Sequence, residues 1–459
     1  MENFWDSNVW GTYMIIGVLL LSLLAGNVLR RKIPFLRGSL IPTSVLGGML
    51  LLIVSWIYRS VTGGRMFDAE VFGGHGGNTL EILTYHCLAL GFIASGLKTS
   101  QNKMTKDRAV EVFNTGVTTV STYLVQGVIG MGITIIIALF MDDFFAAAGL
   151  LLPFGYGQGT GQALNYGGIY ENQFGFDGGK SFGLTIAAMG FLSAAIGGVF
   201  HLNIRKKRGK LNTVHSKNPV LRPEDIESEN EIPMQESLDK MTFQIALIAV
   251  AYMVTYILMY LLGNLLPGMK SVIYGFNFLL GVLSATMTKL FLGWLRKTGI
   301  GHQEYTNNFL LTRISNFFFD LMVVAGVAAI RLDTLESYWG IMLFIGVVGA
   351  VVTYVYLRVV CTKLFPDYPE EQFLMMYGML TGTASTGIIL LREIDGNFKT
   401  PAADNMVYQN FPAIVFGFPL MLLATLAPVK PGLTIVLLAA FMLVMNVILF
   451  RSFIFRKKK

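Results

Sequence analysis

The chain has 459 residues, 53% of them hydrophobic and 14% charged, against about 25% charged in globular domains, which excludes an ordinary soluble domain and points to a polytopic membrane protein. The net charge of +7 is not a nucleic-acid signature, because the basic residues sit in short loops beside apolar spans, where they set orientation. Cys87 and Cys361, the two cysteines, fall in or beside predicted spans and imply neither a disulfide framework nor a CxxC metal site.

Glu2 and Asp6 precede the first apolar segment, where a secretory signal would carry Lys or Arg, so the segment reads as a retained span. Segments long enough to cross a bilayer, about 20 residues each, fall near 10–28, 39–57, 80–97, 112–140, 182–202, 241–262, 271–293, 314–330, 338–360, 408–427 and 432–450. That makes about eleven crossings. Arg30, Arg31, Lys32 and Arg37 follow the first span, and Lys98, Lys103, Lys106 and Arg108 the third. Arg205 to Arg208 and Lys210 follow the fifth, Arg296 and Lys297 the seventh, and Arg451 with Arg456 to Lys459 closes the chain. All of these loops are expected to be cytoplasmic, with the N-terminus outside and the C-terminus inside.

Two Gly/Thr runs interrupt this pattern. Pro153 to Gly168 reads PFGYGQGTGQALNYGG, and Leu380 to Gly387 reads LTGTASTG. So many glycines predict non-helical backbone, which survives at membrane depth only where protein buries it or a watery cavity adjoins it. The two runs align as Gly157-Gln158-Gly159-Thr160-Gly161 against Thr383-Ala384-Ser385-Thr386-Gly387. Each reads as a re-entrant hairpin, near 144–168 after Asp142 and Asp143 outside, and near 373–392 after Glu370 and Glu371 inside. Five crossings plus a hairpin per unit make the second unit inverted. The predicted fold is therefore all-α, with a first repeat over 1–204, a solvated linker over 205–238 that begins basic and turns acidic, and a second repeat over 239–428. An extra C-terminal helix and basic tail fill 429–459.

Further signatures are QGVIGMG (Gln126 to Gly132), AAMGFLSAAIGG (Ala187 to Gly198), IPTSVLGG (Ile41 to Gly48) and NFPAIVFGFP (Asn410 to Pro419). In order and spacing, across roughly residues 10 to 428, these resemble the bacterial sodium/glutamate symporter family. The resemblance implies a homodimer in a bacterial inner membrane, with both hairpins meeting in a mobile transport domain and uptake of an acidic amino acid, glutamate first, coupled to Na⁺. It implies no other cofactor. The family's best-known members carry Gly-His-Gly-Thr-Gly in the first tip, and Gln158 stands where that His would be; the second tip departs from them too. A Na⁺- or H⁺-coupled di- or tricarboxylate transporter is the alternative, and an ion channel a further one.

The residues themselves offer a narrower chemistry. A half-helix starting at a glycine presents free N–H groups and a positive dipole end to a carboxylate. Unwound carbonyls with Thr or Ser hydroxyls supply the hard oxygens an alkali cation needs. Gln158, Gly159, Thr160 and Gly161 in the first tip, and Thr383, Ser385, Thr386 and Gly387 in the second, are the candidate ligands; Gly and Thr there also serve plain close packing. Asp320, flanked by Phe317 to Phe319 and Leu321, would cost about 2.5–3.5 kcal/mol at the centre of a span, so it is expected to face a cavity or a partner. It is a candidate cation or proton site, with Asn316 one turn before it, or a structural carboxylate. Thr160, Thr386 and Asp320 are the candidate Na⁺ ligands. Asn410 adds an amide or caps its helix, and Arg392 binds a substrate carboxylate or snorkels. His86 reads as a packed residue and Lys289 as a snorkelling one. Gly175 to Ser181 falls one residue short of a phosphate loop. No HExxH occurs, and one intramembrane carboxylate does not make an aspartyl protease, so an intramembrane hydrolase ranks below transport. An internal inverted repeat suits alternating access rather than a channel.

Overall fold

In the computed structural model all residues are described except 1–2, 100–104, 142–143, 208–230, 232–237, 299–302, 336–337, 396–398 and 455–459. Lys103, Asp142, Asp143, most of the linker and the basic tail thus lie outside the described residues. The rest is mainly helical, with one isolated β-bridge between Glu231 and Glu304. The principal helices are α1 (Ser7–Lys32), α2 (Thr43–Thr62), α3 (Gly76–Gly96), α4 (Lys106–Ala138), α5 (Leu151–Gln158), α6 (Thr160–Phe174), α7 (Gly179–Lys207) and α8 (Lys240–Leu265). They continue as α9 (Asn277–Lys297), α10 (Asn308–Ala328), α11 (Trp339–Leu364), α12 (Pro369–Thr381), α13 (Ala384–Arg392), α14 (Ala402–Tyr408), α15 (Asn410–Leu426) and α16 (Pro431–Leu449).

Among the described residues 10 helices are long and apolar enough to cross a membrane, and the chain is a multi-pass membrane protein. The tenth expected crossing, at 408–427, is not among them: it is α15, which has 17 residues and carries Pro419 inside it. The expected 271–293 segment is interrupted: a short helix, Lys270–Gly275, precedes α9, and Phe276 separates them.

The chain forms two compact units. One comprises residues 1–81, 104–217 and 323–459, the other 82–103 and 218–322. Each draws on both halves of the sequence, so compactness does not follow the expected repeat boundaries. In the smaller unit, Ile93, Ala94 and Leu97 share a buried core with Ile248, Ala251, Ala285, Leu311 and Ile314. Gly91 admits the Phe319 ring, whose Cε1 would lie 2.7 Å from an added Cβ, and accepts a hydrogen bond from Ser315. His86 is exposed on α3 rather than packed, and its Nδ1 lies 2.6 Å from the Tyr252 hydroxyl. Lys289 donates to the carbonyl of Lys98 at 3.0 Å, so it is satisfied by protein.

One expectation about the linker fails. Glu231 is not solvated: its carboxylate is buried against Lys240 Nζ at 2.7 Å and accepts from Asn307 Nδ2 at 2.6 Å. Glu231 is thus pinned to the start of α8.

In the larger unit α16 packs on α4, with Tyr356 of α11 donating to Asn446 at 2.8 Å and Arg451 to Asn114 at 3.0 Å. The sequence that resembles a phosphate loop is committed elsewhere. Lys180 pairs with Glu81 at 2.7 Å, and Ser181 Oγ accepts the Arg331 N–H at 3.0 Å.

Candidate functional site

The Gly-rich run beginning at Pro153 is helical on both sides of a single residue. Gly159 separates α5 from α6 at φ 79° and ψ −172°, a region essentially reserved for glycine. The expectation of an extended non-helical stretch is corrected here: the other glycines lie in helix, and Gly155, Gly157 and Gly167 let neighbours approach. An added Cβ would stand 2.9 Å from Ala187 N at Gly155, and 2.4 Å from the carbonyl oxygens of Gly179 at Gly167 and of Ala163 at Gly183. Buried apolar surface and rings hold the two helices together, with Phe154 and Tyr166 stacked at 3.9 Å between centroids. Tyr166 and Tyr170 anchor α6 by donating to the carbonyls of Met421 and Ala424 on α15, at 3.0 and 2.9 Å.

Helix geometry leaves the first N–H groups of α6, those of Thr160, Gly161 and Gln162, without intrahelical acceptors, and Gly159 supplies no capping side chain. Around this break three polar atoms are buried without partners among the described residues: Gln158 Oε1, Thr160 Oγ1 and Gln162 Nε2. Thr160 is fully buried and rests on Gly326, where an added Cβ would stand 2.7 Å from Thr160 Cβ. An orphaned buried polar atom costs about 1–3 kcal/mol, which a bound ion or polar ligand would offset.

The second break is built differently. Gly382 and Thr383 separate α12 from α13, with Thr383 extended at φ −135° and ψ 165°. Thr383 Oγ1 caps α13 by accepting the Thr386 N–H at 3.2 Å and lies 3.1 Å from Thr386 Oγ1. Gly378 and Gly387 let α12 and α13 cross closely; a Cβ on Gly387 would meet the carbonyl oxygen of Met375 at 2.4 Å. The letter alignment of the two runs therefore differs from their structural register. Thr160 is the first residue of α6, whereas Thr386 is the third of α13, and Gly159 corresponds to Gly382–Thr383 rather than to Ser385. Ser385 lies in the first turn of α13.

Both breaks rest on the same two helices. Gly190 of α7 lies between them, because a Cβ there would stand 2.3 Å from the carbonyl oxygen of Thr381 and 2.9 Å from the ring of Tyr156. Farther along α7, Gly197 admits Tyr377 and Gly198 admits Leu390, so the AAMGFLSAAIGG pattern is a small-residue seat for both broken helices. On α4, Tyr123 donates to the Gly157 carbonyl at 3.1 Å, and Gln126 donates to the Leu380 carbonyl at 2.9 Å.

At the other end of α12 lies a cluster the sequence did not reveal. Glu370 receives both guanidinium nitrogens of Arg358 at 2.9 and 2.8 Å, and pairs with Arg205 at 3.0 Å. His201 Nε2 lies 2.7 Å from the same carboxylate, and its Nδ1 2.8 Å from the Tyr354 hydroxyl. A tail follows α13: Asp395 accepts from the Lys399 N–H and the Thr400 N–H, each at 2.8 Å, and from Thr400 Oγ1 at 2.6 Å.

The remaining candidates are not all brought together. Arg392 ends α13 and is exposed. Asn410 is not the cap, since Gln409 holds that position in α15; Asn410 Oδ1 accepts from Gln409 Nε2 at 3.2 Å. Asn316 and Asp320 belong to the smaller unit, where both are exposed on α10. Among the described residues no group of three or more His, Cys, Asp and Glu is disposed to hold a metal ion. Oxygen atoms of amides, hydroxyls and carbonyls are what the breaks present, a donor set that suits an alkali cation rather than a transition metal.

The sequence model of the sodium/glutamate symporter family matches residues 9–370. The chain belongs to the sodium/glutamate symporter family. Membership in that family implies a transporter with Na⁺ as coupling ion. No curated protein matches this symporter. The family match covers the first break and ends at the start of α12, ahead of the second.

Proposed function

We propose that this symporter takes up an acidic amino acid, glutamate first, together with Na⁺ by alternating access. The observation that carries the reading is the seating of two helix breaks on α4 and α7 within one compact unit, with unpartnered polar atoms gathered at the first. On this reading the N–H groups at the start of α6 receive the substrate carboxylate, and Gln158 and Gln162 supply hydrogen bonds to it. Thr160 Oγ1 serves Na⁺. The Thr386 hydroxyl already meets Thr383 and acts in the second break's own structure as well as toward a ligand, with Gly161, Ser385 and Gly387 shaping the same tips. Asp320 with Asn316, Arg392 and Asn410 are secondary candidates for cation and carboxylate contacts.

The proposed mechanism is ordered. Na⁺ binds first and fixes the tips, the anion docks on the α6 amides, and the unit carrying both breaks moves elevator-like within a homodimer. Both broken helices are re-entrant, entering from opposite faces of a bacterial inner membrane, in two inverted repeats of five spans each. The N-terminus is outside and the C-terminus cytoplasmic.

The test is uptake of labelled L-glutamate into proteoliposomes under an inward Na⁺ gradient, with a matched K⁺ control. Na⁺-dependent accumulation is expected. Accumulation of a labelled di- or tricarboxylate but not of glutamate would replace the substrate, and a steady ion-selective current without counterflow would replace symport by a channel.

A further inference from the structure

Gln126 is fully buried in α4. Its Nε2 donates to the carbonyl oxygen of Leu380 and to Thr353 Oγ1, each at 2.9 Å. Leu380 stands in the last turn of α12, where helix carbonyls have no intrahelical donor. Since that carbonyl can only accept, the amide nitrogen must face it, and the amide is fixed against a flip.

Gln126 Oε1 therefore points the other way, where it is buried with no donor among the described residues. It lies 3.4 Å from the place a Cβ on Gly157 would take, beside the last turn of α5, whose Gly157 carbonyl already accepts from Tyr123. The C-terminal ends of α5 and α12, both negative ends of helix dipoles, thus converge on one side chain. Two such ends and an unsatisfied neutral oxygen disfavour an anion and suit a dehydrated alkali cation.

We propose that Gln126 is a ligand of the coupling Na⁺ through Oε1 and links the two breaks through Nε2. The proposal rests on the symporter reading above and adds a residue and a route to it. A cation on Oε1 polarises the amide and strengthens its N–H bond to Leu380, so occupancy beside the first break is felt at the second.

The test is thermal unfolding of the purified full chain, titrated with NaCl against choline chloride at constant ionic strength, for wild type, Gln126→Met and Gln126→Glu. Wild type is expected to be stabilised by Na⁺. In Gln126→Met the half-saturating Na⁺ concentration should rise about tenfold or more. Gln126→Glu restores an oxygen at the same reach and should keep or lower that concentration. A drop in Na⁺-free Tm shared by both variants reports only the lost bond to Leu380. Equal Na⁺ midpoints in all three proteins, or equal losses in Met and Glu, would reduce Gln126 to packing while leaving symport intact. Absence of any Na⁺ response in wild type would remove the symporter reading and this proposal with it. Should the Met variant not fold, Gln126→Asn provides the same comparison through a shift in the preference for Na⁺ over Li⁺.

Discussion

The two breaks look alike as sequence and differ as chemistry. The second satisfies itself: Thr383 caps α13, Thr386 meets Thr383, and Glu370 ties the start of α12 to three cationic or imidazole side chains. The first has an uncapped glycine and, among the described residues, three buried polar atoms of its own without partners. A break that needs nothing is a mechanical part, whereas one that leaves donors and acceptors orphaned is shaped for a ligand. The first break is thus the better candidate for direct substrate and ion contact, and the second for transmitting the result.

The largest way to disturb this contrast is to release the anchor of the second break. Glu370→Ala leaves Arg358 and Arg205 without their shared carboxylate; breaking a fully buried ion pair costs about 3–5 kcal/mol, and this partly buried cluster sets that as the upper bound. A large fall in Tm is expected, with Na⁺-dependent uptake lost at 37 °C. A smaller effect follows from Gly159→Ala, which has open space around its Cβ and is opposed by backbone strain alone, about 1–3 kcal/mol. If uptake falls while the fold persists in circular dichroism, the geometry of the first break is functional.

A third pair sharpens the comparison directly. Thr383→Ala removes a helix cap and should lower Tm by the equivalent of about 1 kcal/mol. Thr160→Ala removes a buried hydroxyl that has no partner among the described residues, so its ligand-free Tm should match or exceed wild type while stabilisation by Na⁺ and glutamate weakens. The reverse pattern would exchange the roles of the two breaks.

The smallest effect is a pH dependence. Burial pushes the Asp395 carboxyl up, but the Thr400 and Lys399 bonds outweigh it and hold the group below the ordinary carboxylate range. A depressed folded value contributes stability above the unfolded value, about 3.9, and loses it as pH falls through the folded one. The Tm difference between wild type and Asp395→Ala should therefore be constant at neutral pH and shrink below about pH 4.

Much of the fold was legible because hydropathy and length decide a span without reference to its neighbours. The crossing over 408–427 was legible as apolar, but its helix is shorter than the stretch because α15 begins only at Asn410. The position of each break was legible to within a few residues, while its register was not, since Thr-Gly repeats as letters and the cap depends on which Thr becomes extended. Most glycines of the first run proved to be packing surfaces. Gly155 and Gly167 are needed for the approach of Ala187 and Gly179, contacts that no local pattern announces. Gln126 and His201 were hidden for the same reason: their partners lie 254 and 169 positions away. The burial of Glu231 was hidden by its acidic neighbours, which read as solvated.

Cys87 and Cys361 are both free and buried, so the native protein presents thiol reagents with an almost silent background. A reporter cysteine at exposed Asn172, just before the end of α6, or at exposed Lys399, beyond α13, would be the principal reactive thiol on the molecule. Charged maleimides added to right-side-out or inverted vesicles would then read the sidedness of each broken helix without prior removal of the natural cysteines, and the same two positions would serve as dye sites for following transport distance-wise in single molecules.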